Sequence, residues 1–333
     1  MTTISLPPRL DDRTSASFVN SLSQLYEETE LNFNFSYLSF VRPYPTLLSA
    51  LAIRQLVRRR YNSGLRTTVS GVEAEYGAVS YLKHCGFFKF IGIPVGKSPN
   101  EAPGGATYQP ICEITRRSID IPGKTGPFQE EIDRRSDKLA EVIYPRNISQ
   151  GPAMMISYCL REIIRNVFEH SGASSCFVIA QRWYTGEAEI VIADEGIGIQ
   201  RSLSKVLGGI SSRDALEKAI FPGVTSGLDR ATGSRWDNSG FGLFVTSELG
   251  KRYGSFTIAS SNALLSMDGA NRTSASIAIP STIVKLHVNT IDADYFPNIL
   301  REIVEKGEMI AGEESGLVVS ASKASKMYDI DDV

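Results

Sequence analysis

The spacing of apolar residues predicts alternating strands and helices in the first third of the chain. Three aromatic residues alternate with polar neighbours over residues 31–41, which is typical of a strand. From Thr46 to Tyr61 apolar residues recur at helical spacing, and arginines occupy the last turn, where cations suit the helix dipole. The other elements predicted here are a helix over 14–28, a strand over 65–71, a helix over 74–85 and a strand over 87–93.

The rest of the chain has a clearer periodicity. It predicts strands over 111–119, 176–184, 187–194, 255–260 and 273–279, and helices over 128–143, 154–170 and 242–253. A stretch rich in proline and glycine over 94–110 separates the two parts, and a long polar, glycine-rich stretch over 200–239 is a candidate lid. We therefore predict an α/β fold with two domains. Their bounds are 1–95 and 126–290, with an irregular linker over 96–125 and a C-terminal helix with an acidic tail over 291–333.

Composition narrows the class of protein. Hydrophobic residues make up 42% of the 333 positions, which excludes disorder of the whole chain. The formal net charge is −2, so a dedicated nucleic-acid binder is disfavoured. Four separated cysteines and three histidines argue against a disulfide framework and a multi-histidine metal centre. No apolar stretch reaches membrane-spanning length and no signal peptide is evident, so we expect a cytoplasmic protein without a membrane partner.

Candidate chemistry begins on the helix predicted over 154–170. Glu162, Asn166 and His170 form one row at i, i+4 spacing, beside an apolar row on a neighbouring face. The helix therefore presents an acid, an amide and an imidazole together. A solvated polar stripe is the alternative, and the helix alone favours it.

Two glycine-rich turns follow. In IVIADEGIGI a β-rich run leads to Asp194, and Gly196 and Gly198 permit a tight turn and close backbone approach. A carboxylate at a strand end can accept a hydrogen bond from an exocyclic amine, such as the 6-amino group of adenine. Taken alone, this motif also fits a simple turn.

The second turn precedes a helix that begins near Leu243. Gly240 and Gly242 leave free amides at the start of that helix, which suits phosphate binding. The spacing fits neither a Walker loop nor a Rossmann turn. Thr273 opens a later strand, and its hydroxyl could bond the adenine end that Asp194 reads, although threonine is also a common strand former.

The order and spacing of these four signals resemble the GHKL superfamily of ATP-binding domains, which includes gyrase, mismatch-repair proteins, histidine kinases and anti-sigma-factor serine kinases. The resemblance covers roughly residues 125–285. It implies a Bergerat-fold α/β sandwich, a mixed sheet covered by helices on one face, with ATP and Mg²⁺ as ligands. The matching residues are Glu162 and Asn166 in the first motif, Asp194, Gly196 and Gly198 in the second, Gly240, Gly242 and Leu243 in the third, and Thr273 in the last strand.

The resemblance also implies a role for each motif. Asn166 would hold the Mg²⁺ that bridges the phosphates, and Asp194 would recognise adenine. The first glycine pair would line the base and ribose, and the second would close a lid over the phosphates. Glu162 lies where hydrolytic members carry the general base, and a carboxylate one turn from the metal-binding amide can polarise a water.

The N-terminal region weakly resembles a STAS domain, the fold of anti-sigma-factor antagonists. Its strand–helix order over 31–93 carries the resemblance, which implies a STAS-like α/β sandwich. The acidic residue and acceptor serine usual in that family are absent from the turn Arg42–Pro45. A degenerate module for protein contact and a generic α/β domain both remain open.

Three functions remain open. The first is a Mg²⁺-dependent ATPase whose nucleotide state switches a protein partner or a homodimer contact. The second is a serine/threonine kinase of the anti-sigma type, and the third is a sensor that binds ATP without hydrolysis. A histidine autokinase is not expected, because none of the three histidines lies in the pattern of a dimerisation helix.

Overall fold

Two main sheets organise the chain. The computed structural model describes residues 1–119, 128–144, 150–225, 239–289, 296–315 and 320–321. The α/β class predicted from the sequence is confirmed. Strand pairs are parallel in the N-terminal region and antiparallel in the larger sheet, so the chain as a whole mixes both kinds of pairing.

The larger sheet has seven strands. Its strands are β6 (Tyr108–Thr115), β7 (Ser175–Arg182), β8 (Ala188–Asp194), β9 (Gly254–Ser260), β10 (Ala263–Asp268), β11 (Asn271–Ser276) and β12 (Thr282–Val288). Their order across the sheet is β11-β10-β9-β12-β8-β7-β6. The last strand in the sequence, β12, therefore lies between β8 and β9.

Helices cover one face of this sheet. They are α5 (Arg116–Ile119), α6 (Phe128–Ile143), α7 (Gln150–Asn166), which continues as a π-helical turn over Val167–Ser171, α10 (Gly242–Tyr253) and α11 (Phe296–Ser315). Their apolar stripes pack on inward residues such as Ile190, Ile192 and Val284 to form one core. Two short helices, α8 (Ile199–Leu207) and α9 (Ser212–Ala219), form a small cluster at the edge of that core.

The N-terminal region holds the parallel strands. Its elements are β1 (Thr2–Ser5), β2 (Arg9–Leu10), α1 (Asp12–Leu22), β3 (Glu30–Asn34), β4 (Phe40–Val41), α2 (Pro43–Asn62), β5 (Arg66–Ser70), α3 (Gly77–His84) and α4 (Phe87–Phe90). The carboxylate of Asp11 accepts hydrogen bonds from two backbone amides and caps α1. A proline in the first turn of α2 suits a helix start.

The N-terminal region packs on the second face of the seven-stranded sheet. Helix α2 lies against β8 and β7. Outward residues of the sheet, among them Phe177, Val191 and Ile283, share a core with Phe33 and Leu51 of the N-terminal region. Both faces of β8 are therefore buried, which explains its nearly continuous apolar sequence.

Several predicted elements need correction. Residues 87–93 contain the short helix α4 and no strand. Phe87, Phe88 and Phe90 are buried on all sides there, so they carry no strand periodicity. The strand predicted over 31–41 is divided into β3 and β4, and β10 and β12 were not predicted.

Part of the predicted lid is helical. Helix α9 and all but the first residue of α8 lie within residues 200–239, and residues 226–238 lie outside the described part of the chain. The acidic tail from residue 322 also lies outside it. Within the described ranges, every helix is too short or too polar to cross a lipid bilayer.

Candidate functional site

A cavity opens at one end of the seven-stranded sheet, between the end of α7, the start of α10 and helices α8 and α9. Its volume is about 790 Å³, including the solvent at its open mouth. The polar groups that line it are Asn166, His170, Ser171, Asp194, Ser202, Thr225 and Thr282, and the apolar ones include Ile163, Ile192, Leu203, Leu243, Ile258 and Val284.

Asp194 lies at one end of the cavity, where β8 ends. Its side chain is buried, and the residue is only 2% exposed. Its Oδ1 accepts a hydrogen bond from the backbone amide of Gly196 at 2.7 Å, and Ser171 also donates to it. Burial, with a smaller contribution from nearby Glu195, raises the pKa of Asp194 to about 7, although both hydrogen bonds oppose the shift. Among the described residues, no cationic side chain forms an ion pair with this carboxylate.

The turn after Asp194 requires glycine at two positions. A Cβ on Gly196 would overlap the carbonyl oxygen and side chain of Ser171. Gly198 has a φ of +77°, and a Cβ there would overlap the hydroxyl of Ser261. The backbone amide of Ile197 donates to the carbonyl oxygen of Ser171 at 2.9 Å. The turn is therefore anchored against the π-helical turn of the neighbouring helix.

Asn166 is the last residue of α7 and lines the cavity. Directly after it the helix widens into the π-helical turn, a feature often found at functional sites. His170 and Ser171 of this turn also line the cavity. Burial lowers the pKa of His170; Glu169 opposes this effect, and Arg165 and Lys205 reinforce it. The imidazole is therefore expected to be neutral at pH 7.

Glu162 lies one turn before Asn166 and is 7% exposed, but it is not among the residues that line the cavity. Its Oε1 accepts hydrogen bonds from Nη2 and Nε of Arg161, at 2.9 and 3.1 Å. Arg165 adds a longer ion pair at 3.9 Å. Burial lowers the pKa of Arg161, but Glu162, Tyr158 and Asp133 together outweigh this effect, and the pKa is raised overall. The charge of Glu162 is therefore already balanced.

The second glycine turn forms the start of α10. Gly240 has a φ of +74° and packs against Val224, and its carbonyl oxygen accepts a hydrogen bond from the amide of Gly223 at 3.2 Å. A Cβ on Gly242 would overlap the carboxylate of Glu162. Leu243 follows and lines the cavity. The first residues of α10 therefore line the cavity, and a helix start is a place where phosphate can bind.

The structure brings most of the predicted site residues together. Those that line one cavity are Asn166, Asp194, Gly198, Gly240, Gly242 and Leu243. Gly196 lies behind Asp194 and holds it through its amide, and Glu162 contacts Gly242 from outside the cavity lining.

The assignment of Thr273 is corrected. It lies on β11, the exposed edge strand of the sheet, opposite Ser266 and away from the cavity. Thr282 instead pairs directly with Asp194 across β12 and β8 and lines the cavity. Its Oγ1 lies 2.9 Å from the hydroxyl of Ser260. The sequence signal that could have identified it is the alternating run TIVKLHV after Pro280.

The described residues contain no group of three or more histidine, cysteine or acidic side chains that could hold a metal ion by themselves. Mg²⁺ commonly keeps several waters and takes only one or two protein ligands together with phosphate oxygens. Asn166 at the cavity fits this second kind of site, in which the metal arrives with its phosphate ligand.

Comparison with known proteins gives one partial match. The chain is 39% identical over 79 residues to the sensor histidine kinase DesK of Bacillus subtilis (strain 168), which is 23% of this chain and 21% of that protein. The chain therefore spans about a fifth of the length of this curated relative. No family model and no solved structure matches the chain. A region of this protein thus resembles part of a histidine kinase.

Proposed function

We propose that the cavity binds Mg-ATP and that the protein is a nucleotide-dependent regulatory switch acting on a protein partner. The observation that carries the proposal is the buried carboxylate of Asp194, which has no ion pair among the described residues, in a cavity that is also lined by Asn166 and the start of α10. A partial similarity to a histidine kinase supports an ATP-using protein of this general kind.

Asp194 is suited to recognise the amino group of adenine. An ionised carboxylate is an acceptor only, and the exocyclic amine of adenine is a donor. The side chain lies among Ile192, Ile258 and Val284, which form apolar walls for a flat base. A buried carboxylate with a raised pKa gains a partner when the base binds, so binding draws it into its charged form.

The opposite side of the cavity is suited to phosphates. Amides at the start of α10 and the positive end of its dipole attract anions, and Gly240 and Gly242 allow the backbone to approach them. The side-chain oxygen of Asn166 would be the protein ligand of Mg²⁺. When bound, the metal would neutralise the phosphates.

The role of Glu162 distinguishes two candidate functions, ATP hydrolysis and ATP binding alone. As a general base it would accept a proton from the attacking water, and the first candidate is therefore a slow ATPase. A sensor that binds ATP without hydrolysis is the second candidate. It is favoured by two observations: the Glu162 carboxylate is already bound to the buried guanidinium of Arg161, and it does not line the cavity.

Binding is tested by calorimetric titration of the full chain with Mg-ATP and, separately, with adenosine. Asn166→Ala should weaken Mg-ATP binding at least tenfold and leave adenosine binding unchanged, because the amide acts only at the phosphate side. Asn271→Ala, on the exposed strand β11, is the matched control and should change neither. Absence of Mg-ATP binding by the wild-type protein, or equal affinities for the Asn166→Ala variant and the wild type, would contradict the proposal.

Hydrolysis is tested with ATP labelled at the γ-phosphate. Release of labelled phosphate by the wild-type protein and its loss in Glu162→Gln, with ATP binding retained, would support the ATPase. ATP binding without release of labelled phosphate would support the sensor. Label retained on a protein band would instead point to the kinase alternative.

A further inference from the structure

Helix α2 contacts both ends of β8, the strand that carries Asp194. At the start of the strand, Glu189 accepts a hydrogen bond from the backbone amide of Tyr44 at 2.7 Å and forms an ion pair with Arg42 at 3.3 Å. Just beyond its end, Glu195 accepts two hydrogen bonds from Arg58, both at 2.9 Å. Arg54 lies 3.3 Å from the same carboxylate.

The side chains of β8 alternate between two faces of the sheet, one towards the cavity and one towards α2. Ile190, Ile192 and Asp194 face the helices and the cavity, and the residues between them face α2. The lengths match as well. The six residue steps from Glu189 to Glu195 span about 20 Å at roughly 3.3 Å each. The fourteen residue steps from Tyr44 to Arg58 span about 21 Å at roughly 1.5 Å each.

The contact beyond Asp194 is anchored within the N-terminal region. The guanidinium of Arg54 stacks over Phe90 at 4.3 Å and donates to its carbonyl oxygen, and Phe177 of β7 lies 5.7 Å away. Arg58 is more open, with its side chain 54% exposed, but it holds both oxygens of Glu195. The turn that begins at Glu195 therefore cannot move without breaking these contacts or moving α2.

We propose that Arg54 and Arg58 are positioning residues that hold the Asp194–Gly198 turn, so that the N-terminal region sets the affinity of the cavity for adenine. This inference rests on the proposed function for its ligand and adds a regulatory route to it. A partner protein that shifts α2 would change nucleotide affinity without touching the cavity.

The charges of Arg58 and Glu195 provide a way to test whether α2 controls the Asp194–Gly198 turn. The groups near Asp194 that titrate or carry charge are Glu195 beside it in the chain, His170 from the π-helical turn and Cys176 from β7. From β12, the residue paired with Asp194 is the uncharged Thr282. Arg54 and Arg58 offset the negative charge of Glu195. Arg58→Ala and Glu195→Gln break the same contact but change the net charge beside Asp194 in opposite directions.

The experiment measures Mg-ATP affinity from pH 6 to pH 8.5 for these two variants. Both should bind three- to tenfold more weakly at pH 8.5, because the turn loses its anchor. The midpoint of the pH dependence should move up in Arg58→Ala and down in Glu195→Gln. Arg59→Ala is the matched control, since Arg59 lies over Tyr26 and makes no contact with Glu195 among those described; it should match the wild type.

Hydrogen exchange in the ligand-free protein tests the same contact without nucleotide. The amides of Gly196 and Ile197 should exchange faster in both variants and remain unchanged in Arg59→Ala. Unchanged exchange and affinity in both variants would overturn the inference, as would midpoints that move in the same direction. If the wild-type protein bound no ATP, the proposed function would fail, and the exchange rates would still decide whether α2 holds the turn.

Discussion

Two buried carboxylates near the cavity are held in opposite ways. Asp194 has backbone and hydroxyl donors but no ion pair among the described contacts, and burial keeps its pKa near 7. Glu162 is bonded to the buried guanidinium of Arg161, which also lies 3.8 Å from Asp133 of α6. The first carboxylate is therefore left for a ligand, and the second is paired with arginines of its own helix.

The two pairings predict different effects of the carboxylates on stability and on ligand binding. A carboxylate with a raised pKa costs stability in the ligand-free protein, and a matching donor from a ligand would recover that cost on binding. A paired carboxylate contributes to the fold and is costly to remove. Both side chains are buried, so burial does not distinguish them. Their partners do, because Glu162 has an ion pair and Asp194 has none among the described contacts.

The largest expected effect is on stability, with opposite signs at the two carboxylates. Between pH 4 and pH 7 the native protein holds a proton on Asp194 that the unfolded chain has lost, so stability falls as pH rises through this range and stays low above it. At pH 8, Asp194→Asn should therefore stabilise the ligand-free protein by up to about 4 kcal/mol. Glu162→Gln should destabilise it by about 3 kcal/mol, because Arg161 loses its main partner.

Urea denaturation at pH 5 and pH 8 measures both variants. The stabilisation of Asp194→Asn over the wild type should shrink at pH 5, where most of the wild-type carboxyl is protonated. Equal destabilisation by the two substitutions at pH 8 would contradict the comparison.

ATP affinity should separate the same two variants. At pH 8, Asp194→Asn should weaken ATP binding about 100-fold, because its amide group presents a donor where the amine of adenine needs an acceptor. Glu162→Gln should bind within threefold of the wild type, since its carboxylate does not line the cavity. Calorimetric titration gives both affinities. Similar losses of ATP affinity in both variants would show that the ion pair of Glu162 does not distinguish its role in ATP binding from that of Asp194.

The pH dependence of wild-type affinity should follow the ionisation of Asp194. Affinity for ATP should fall about 30-fold from pH 8 to pH 5.5, as a carboxyl with a pKa of about 7 becomes protonated. The same titration on Asp194→Asn should be nearly flat through this range. An equally steep profile in the variant would assign the effect to another group, His170 being the nearest candidate.

The smallest expected effect concerns the two threonines. Thr282→Val should weaken ATP binding about three- to fivefold, because its hydroxyl lies at the cavity beside Asp194. Thr273→Val makes the same change on the exposed strand β11 and should leave affinity unchanged. A loss of affinity in Thr273→Val alone would restore the assignment made from the sequence.

Much of the candidate site could be predicted because its motifs are local. The i, i+4 spacing of Glu162 and Asn166 follows from helix geometry, and a glycine-rich turn after a strand places Asp194 at that strand's end. The ion pair that distinguishes Glu162 from Asp194 could not be predicted, because neighbouring residues in a helix do not usually face each other.

The order of strands explains why Thr282 was missed. Strand β12 comes last in the sequence but lies in the middle of the sheet, and no local pattern reports such a rearrangement. The packing of α2 on the second face was missed for a similar reason. The apolar run of β8 indicates burial on both faces, but the sequence does not say which segment covers the second one.

The shared core on the α2 side has a practical consequence for dividing the polypeptide. A fragment that starts after residue 95 would retain every described residue of the cavity, but it would leave Phe177, Val191 and Ile283 uncovered. Such a bare apolar surface favours aggregation. A shortened fragment would therefore need polar replacements on that surface before its solubility or nucleotide binding could be compared with that of the whole protein.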